Sequence, residues 1–169
     1  MILLSLLPTI NGDSQITGFE KWISCTQISW DLAREFKESA KAGTKDIFTG
    51  VADIKPISLN KSFDCSSADL MKYACGGGKI CDKAEIVLIA SGADMADAAK
   101  NVYLKFTLDS PLIASWNISG GEDERPGETV TLWYYKIALQ YYSFDGKSYI
   151  KSGSPRGWDR QGNKEWSGS

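Results

Sequence analysis

Residues 112–145, LIASWNISGGEDERPGETVTLWYYKIALQYYSFD, constrain the fold more than any other stretch, because they read as two long β-strands around a glycine-rich acidic turn. Side chains on a strand alternate between faces. Thr131, Trp133, Tyr135, Ile137, Leu139 and Tyr141 therefore share one surface of the second strand, and Val130, Leu132, Tyr134, Lys136 and Ala138 share the other. Both surfaces begin apolar, whereas a half-solvated strand shows a polar face. The strand is thus expected to be covered twice, by a facing sheet and by a helix or another subunit. Its length also exceeds the usual strand of roughly five or six residues.

The rest of the chain supports a mainly β architecture. MILLSLLPTI lacks a basic start, a long apolar centre and a small-residue cleavage site, so it reads as a first strand rather than a secretion signal. Asn11-Gly12-Asp13-Ser14 marks the turn after it, and residues 22–32 read as a second extended segment. Within that segment Ile28, Trp30 and Leu32 point to a core, while Gln27, Ser29 and Asp31 face water or a wet cavity. Residues 38–50 are small, charged and aperiodic, which predicts a long inter-strand loop. Residues 54–59 resume extended structure, with Pro56 confining part of it to an edge or bulge.

One short helix follows. Ser66 or Ser67 is expected to cap it, Asp69 lies in its first turn, Leu70, Met71 and Ala74 form its apolar stripe, and Gly76 ends it. Residues 85–90, 102–108 and 112–118 supply further strands, and residues 146–169 read as a loop-rich tail. The expected fold is one domain over residues 1–169, a small β-barrel of two packed antiparallel sheets with one short flanking α-helix.

Composition removes several classes of function. With 43% hydrophobic residues the chain can bury a real core. A net charge of −2 and no run of lysines or arginines give nucleic acid nothing to bind. The absence of histidine excludes Ser/His and Cys/His nucleophile pairs and imidazole metal sites. Cys25, Cys65, Cys75 and Cys81 lack CxxC spacing and read as free or buried thiols, with a Cys75–Cys81 bridge across Gly76-Gly77-Gly78 as the alternative. No cofactor, metal or catalytic residue is expected. Nothing approaches the roughly twenty apolar residues of a membrane helix, so no membrane insertion is expected either.

Separated anchors then align with one family. They are Gly12-Asp13-Ser14 after the first strand, Lys61, Asp64 and Ser67-Ala68-Asp69-Leu70 leading into the helix, Ser119-Gly120-Gly121-Glu122-Asp123, Glu128-Thr129-Val130-Thr131-Leu132, Lys136-Ile137, Asp145-Gly146-Lys147 and Gly157-Trp158-Asp159. In this order and spacing, over nearly the whole chain, the sequence resembles the haemolysin-coregulated protein (Hcp) family, the tube protein of bacterial type VI secretion. It departs from the pattern at residues 38–50, with fewer glycines than many members, and at residues 123–127, which look stretched.

The resemblance implies a homohexameric ring whose copies stack into a tube. Its further partners are the spike and the sheath and baseplate proteins of the apparatus, with small effector proteins carried in the lumen. It also implies assembly in the bacterial cytoplasm and ejection without a signal peptide. Gln27, Ser29 and Asp31 are the lumen and cargo candidates, against an ordinary wet strand face. Glu38, Lys41, Lys45, Glu122, Asp123, Glu124, Arg125 and Trp158 are the ring-stacking and interface candidates, against solvated loops. The rival readings are a secreted β-sandwich binding module for glycan or protein, and a specialised Hcp-like effector. A hydrolytic effector would use pairs such as Asp94 and Asp97, or Glu122 and Asp123, as acid and base.

Overall fold

The structure, a computed structural model, describes residues 1–38, 47–90 and 95–168. Two antiparallel sheets pack face to face. The larger has eight strands: β1 (Ile2–Ser5), β2 (Ile23–Cys25), β7 (Lys83–Ile89), β8 (Val102–Asp109), β11 (Lys136–Phe144), β12 (Tyr149–Lys151), β13 (Arg156–Asp159) and β14 (Lys164–Trp166). Their spatial order is β14-β13-β11-β8-β7-β1-β2, with β12 paired to β11. The smaller has four, in the order β3 (Gln27–Ser29), β6 (Ile57–Ser62), β10 (Gly127–Trp133) and β9 (Leu112–Ser119). Between them Leu4, Ile23, Ile57, Leu59, Ile86, Phe106, Leu108, Val130, Leu132, Tyr134 and Ile137 form one buried cluster. The mainly β fold with one α-helix follows the expectation from sequence.

The long strand does not. It breaks at Tyr134 and Tyr135 into β10 of the small sheet and β11 of the large one. The break shifts the alternation, so Val130, Leu132, Tyr134 and Ile137 all reach the same core, although a continuous strand would split them. Polar satisfaction holds the corner. Tyr134, fully buried, donates its hydroxyl to Lys55 O at 2.7 Å and accepts Trp30 Nε1–H at 2.7 Å. Burial pushes that phenol up to about 12. Tyr135 N donates to Asp109 O, Arg160 N to Tyr135 O, and Arg160 Nη1 to Tyr134 O, so these backbone groups find partners as the chain leaves the ladder.

Three other expectations change for related reasons. Residues 22–32 form not one extended segment but β2, β3 and the start of β4 (Leu32–Glu38), each in a different sheet, and Leu32 is 53% exposed rather than core-facing. The loop expected at 38–50 gives way to strand at both ends, and residues 39–46 lie outside the described residues. Glu38 ends β4, and β5 (Ile47–Ile54) begins at Ile47, where Ile47-Phe48-Thr49 favours extended chain. Among the described residues β4 and β5 pair only with each other and form a two-stranded arm. Lys55-Pro56 then breaks the chain before β6, as the missing proline donor requires.

The tail expected to be loop-rich at 146–169 also adds β12, β13 and β14 to the large sheet. Its docking depends on Gly157, where a Cβ would lie 2.0 Å from Ile137 O and 2.5 Å from Ala138 Cα. Only glycine lets β13 lie this close to β11.

The helix α1 (Ser67–Gly76) starts and ends differently from expectation. Ser66 stands at the cap without a side-chain capping bond, and the left-handed residue is Gly77 (φ 62°), whose N–H reaches Tyr73 O. Leu70 is buried and Tyr73 and Ala74 half-buried, while Met71 is exposed. On the outer face of the large sheet, Leu3, Val87, Ile89 and Val102 lie under Phe19 and Ala98 in a second, smaller cluster.

Candidate assembly and cargo surfaces

A buried charged network joins the small sheet to the helix. Lys61 on β6 stands opposite Glu128 on β10 in the strand register. Its Nζ donates to Glu128 Oε2 at 2.8 Å, Asp64 Oδ1 at 2.9 Å, Ser62 O at 2.8 Å and Ser67 Oγ at 3.2 Å. The same Asp64 oxygen accepts Ser66 N–H at 2.8 Å and its hydroxyl at 2.5 Å, and Ser67 Oγ accepts Asp64 N–H at 2.9 Å. Asp64 and Ser67, rather than a serine side-chain cap, therefore organise the entry to α1. Lys61 and Glu128 side chains are 1% and 0% exposed. This is scaffold, since it holds strand, strand and helix together and, apart from the 9% exposed Asp64 side chain, is closed to solvent.

The other face of the small sheet is the opposite in character. Gln27 and Ser29 on β3 lie across from Asn60 and Ser58 on β6, which oppose Thr129 and Thr131 on β10, which in turn oppose Asn117 and Ser115 on β9. None of the eight is ionisable. Asn60 Nδ2 donates to Gln27 Oε1 at 3.0 Å, Thr129 Oγ1 to Asn60 Oδ1 at 2.9 Å, and Ser58 and Thr131 hydroxyls lie 3.1 Å apart. The result is a continuous uncharged hydroxyl and amide surface. Of the three residues nominated from sequence, Gln27 and Ser29 lie on it. Asp31 does not share it, because the chain leaves the sheet at Trp30, whose indole N–H is held by Tyr134 and Lys55, and Asp31 stands exposed at the root of the arm. The six partners on β6, β9 and β10 were missed, although the polar residues recurring at every second position in ISLNKS and ETVTLW were a readable signal.

The stacking candidates fall in different places. Glu122, Asp123, Glu124 and Arg125 form the exposed turn between β9 and β10. Glu38 is the last residue of β4, and Lys41 and Lys45 lie outside the described residues, as does Asp94. Trp158 sits on β13 opposite Ile137 and packs partly buried against the core. The aromatic run is engaged as well. Trp133 meets Tyr135 edge-on at 4.7 Å, with the Arg160 guanidinium 4.9 Å from the Trp133 ring. The arm carries what sequence inspection passed over: Leu32, Phe36 and Val51 are 53%, 64% and 78% exposed. All four cysteines are free thiols, and burial pushes Cys25 up to about 12, so its thiol stays protonated at neutral pH. Among the described residues no cluster of His, Cys, Asp or Glu could hold a metal ion, and no helix is long and apolar enough to cross a membrane.

The family model described as type VI secretion system effector, Hcp, matches residues 4–141. The chain belongs to the Hcp family. Solved structures agree over nearly the full length. One described as a type six secretion system protein is 25% identical, covers 98% of each chain and superposes with a TM-score of 0.84. Hcp1 from Salmonella typhimurium is 22% identical over 98% of this chain and 97% of its own, with a TM-score of 0.73. A type VI secretion system effector from Yersinia pestis shares the fold at 16% identity and a TM-score of 0.68, over 94% of this chain and 99% of its own. The comparison with curated proteins returned no match. Hcp is a structural tube protein of type VI secretion, and the buried network explains several of the sequence anchors: Lys61, Asp64, Ser67 and Glu128 are the residues that lock helix to sheet.

Proposed function

We propose that six copies of this chain close into a ring, that rings stack into a tube, and that the bore holds small effector proteins while the type VI apparatus ejects it. In this reading the tube assembles in the bacterial cytoplasm under a sheath and behind a spike, on a baseplate, and leaves the cell with its cargo. The observation that carries it is the small sheet. Its uncharged polar face suits a wet bore, and among the described residues both its outer strands, β3 and β9, lack a further strand partner apart from the Lys79–Leu112 bridge. Open edges of this kind join sheets between copies. A closed ring of identical heterologous contacts would leave no edge exposed. The test is size-exclusion chromatography with negative-stain imaging of the purified full chain. Rings or tubes are expected, and a monodisperse monomer at high concentration would overturn the assignment.

Two predictions belong to this reading. Ser29→Trp places a bulky ring on the bore face at an exposed position, so effector co-purification should fall by about tenfold or more while rings persist. Unchanged co-purification would remove Ser29 from the cargo face. Glu122→Lys with Glu124→Lys reverses charge on the exposed β9–β10 turn, where each side chain contributes well under ~1 kcal/mol to the fold. Tubes should shorten or vanish in sedimentation while the melting temperature stays constant, and tubes of normal length would make the turn merely solvated.

A further inference from the structure

Beyond its root the arm stands in solvent. Residues 31–37, 49–51 and Asp53 are exposed, and among the described residues Ala52 and Ile54 are the arm side chains that pack on the main cluster. What fastens it lies just before β4 and just after β5. Trp30 Nε1–H donates to Lys55 O at 3.2 Å and to the Tyr134 hydroxyl at 2.7 Å, and that hydroxyl donates to Lys55 O at 2.7 Å. Lys55 N in turn donates to Asp31 O at 3.0 Å.

Both ends of the arm and the corner between β10 and β11 therefore meet in one triangle of hydrogen bonds. Burial pushes the Tyr134 phenol up to about 12, so the hydroxyl keeps its proton at neutral pH and serves as donor and acceptor at once. Trp30 already has Lys55 O as an acceptor, so its N–H does not need Tyr134 to be satisfied. What the phenol adds is a tie from both strand ends to a fully buried ring in the core.

We propose that Tyr134 is a positioning residue for assembly: its hydroxyl, with the Trp30 indole, fastens both ends of the arm to the core, so that the arm is held in one orientation before it meets a second copy. This rests on the tube reading, in which the exposed arm docks on the next subunit. An arm fixed beforehand loses little freedom on docking, whereas a loose one has to be ordered at every junction of the ring.

The test compares Tyr134→Phe, Trp30→Phe and the double variant in the full chain. Each single substitution removes two of the three bonds and leaves Lys55 O one donor, so the subunit should still fold. Sedimentation velocity over a concentration series reads ring formation, and hydrogen exchange followed by mass spectrometry reads the arm root around Lys55. The single variants should raise the concentration needed for rings about fivefold and the double variant about tenfold or more. Exchange at the root should quicken in the same order, with β7 and β8 unchanged. Val87→Ala, in the separate cluster on the outer face, is the control for stability: it should lower the melting temperature and leave both ring concentration and root exchange alone. Rings at an unchanged concentration in the double variant, or unchanged exchange at the root, would overturn the proposal. So would an equal loss of rings in Val87→Ala, which would make the effect one of stability alone. If the unaltered chain forms no rings yet the double variant loosens the root, the tube reading fails and the fastening of the arm stands.

Discussion

Lys61→Met is expected to destabilise the subunit by about 3–5 kcal/mol, because it strands the buried Glu128 carboxylate rather than because it deletes one favourable pair. Lys61 Nζ has four acceptors within 3.2 Å, and in a site with almost no solvent Glu128 depends on it, while Asp64 keeps the Ser66 N–H and hydroxyl. Glu128 Oε1 already lacks a donor, so the variant would leave that carboxylate with none of the partners seen here. For a chain of this size each kcal/mol moves the melting temperature by about 2–4 °C, which puts the expected drop at roughly 6–20 °C. Removing both charges is a different experiment. Lys61→Met with Glu128→Leu takes out the principal pair and should recover part of the loss, since buried pairs are often no better than apolar residues of similar volume. Urea and thermal unfolding of both variants check this. A single-variant loss within about 1 kcal/mol would mean that water reaches the network and that it acts as an exposed pair would.

The arm gives the second large effect, on assembly rather than on the subunit. Phe36→Glu with Val51→Glu should abolish rings while the subunit melts at an unchanged temperature. Both side chains are mostly exposed, and β4 and β5 pair with each other alone, so folding of the sandwich does not use them. Full burial of such a residue against a neighbour stabilises by about 1.5–3 kcal/mol, and buried carboxylates would reverse the sign at every contact. Because the loss recurs at each junction of a closed ring, assembly should fail outright instead of weakening by degrees. Light scattering across a concentration series, with imaging, reads this directly. Rings forming at the ordinary concentration would show that the arm docks nowhere.

The overall class and the helix were legible because both rest on local signals, strand alternation and the Ser67-to-Gly76 pattern. The change of sheet at Tyr134 was not. An apolar run that crosses from one sheet to the other has the same composition as a single strand covered on both sides, and the hydrogen bonds that mark the corner, from Trp30 and Lys55 to Tyr134 and from Asp109 and Arg160 to the Tyr134–Tyr135 backbone, come from distant parts of the chain. The arm was hidden for a similar reason. Its residues are small and charged near the tip, which reads as loop, although Ile47, Phe48 and Thr49 pair with Glu38, Lys37 and Phe36. For the candidate site, Gln27 and Ser29 were found on their own strand, but their neighbours on β6, β9 and β10 become neighbours only through long-range register.

The uncharged face has one more consequence, for timing. Its glutamine, asparagine, serine and threonine side chains hold the same protonation state from roughly pH 3 to pH 10. A bore lined by them would grip its contents equally in the neutral interior of a cell and in an acidic surrounding. Acidification therefore offers no release signal at this surface. Discharge of cargo would have to follow from the rings coming apart, which makes the lifetime of the tube after ejection the clock that sets delivery.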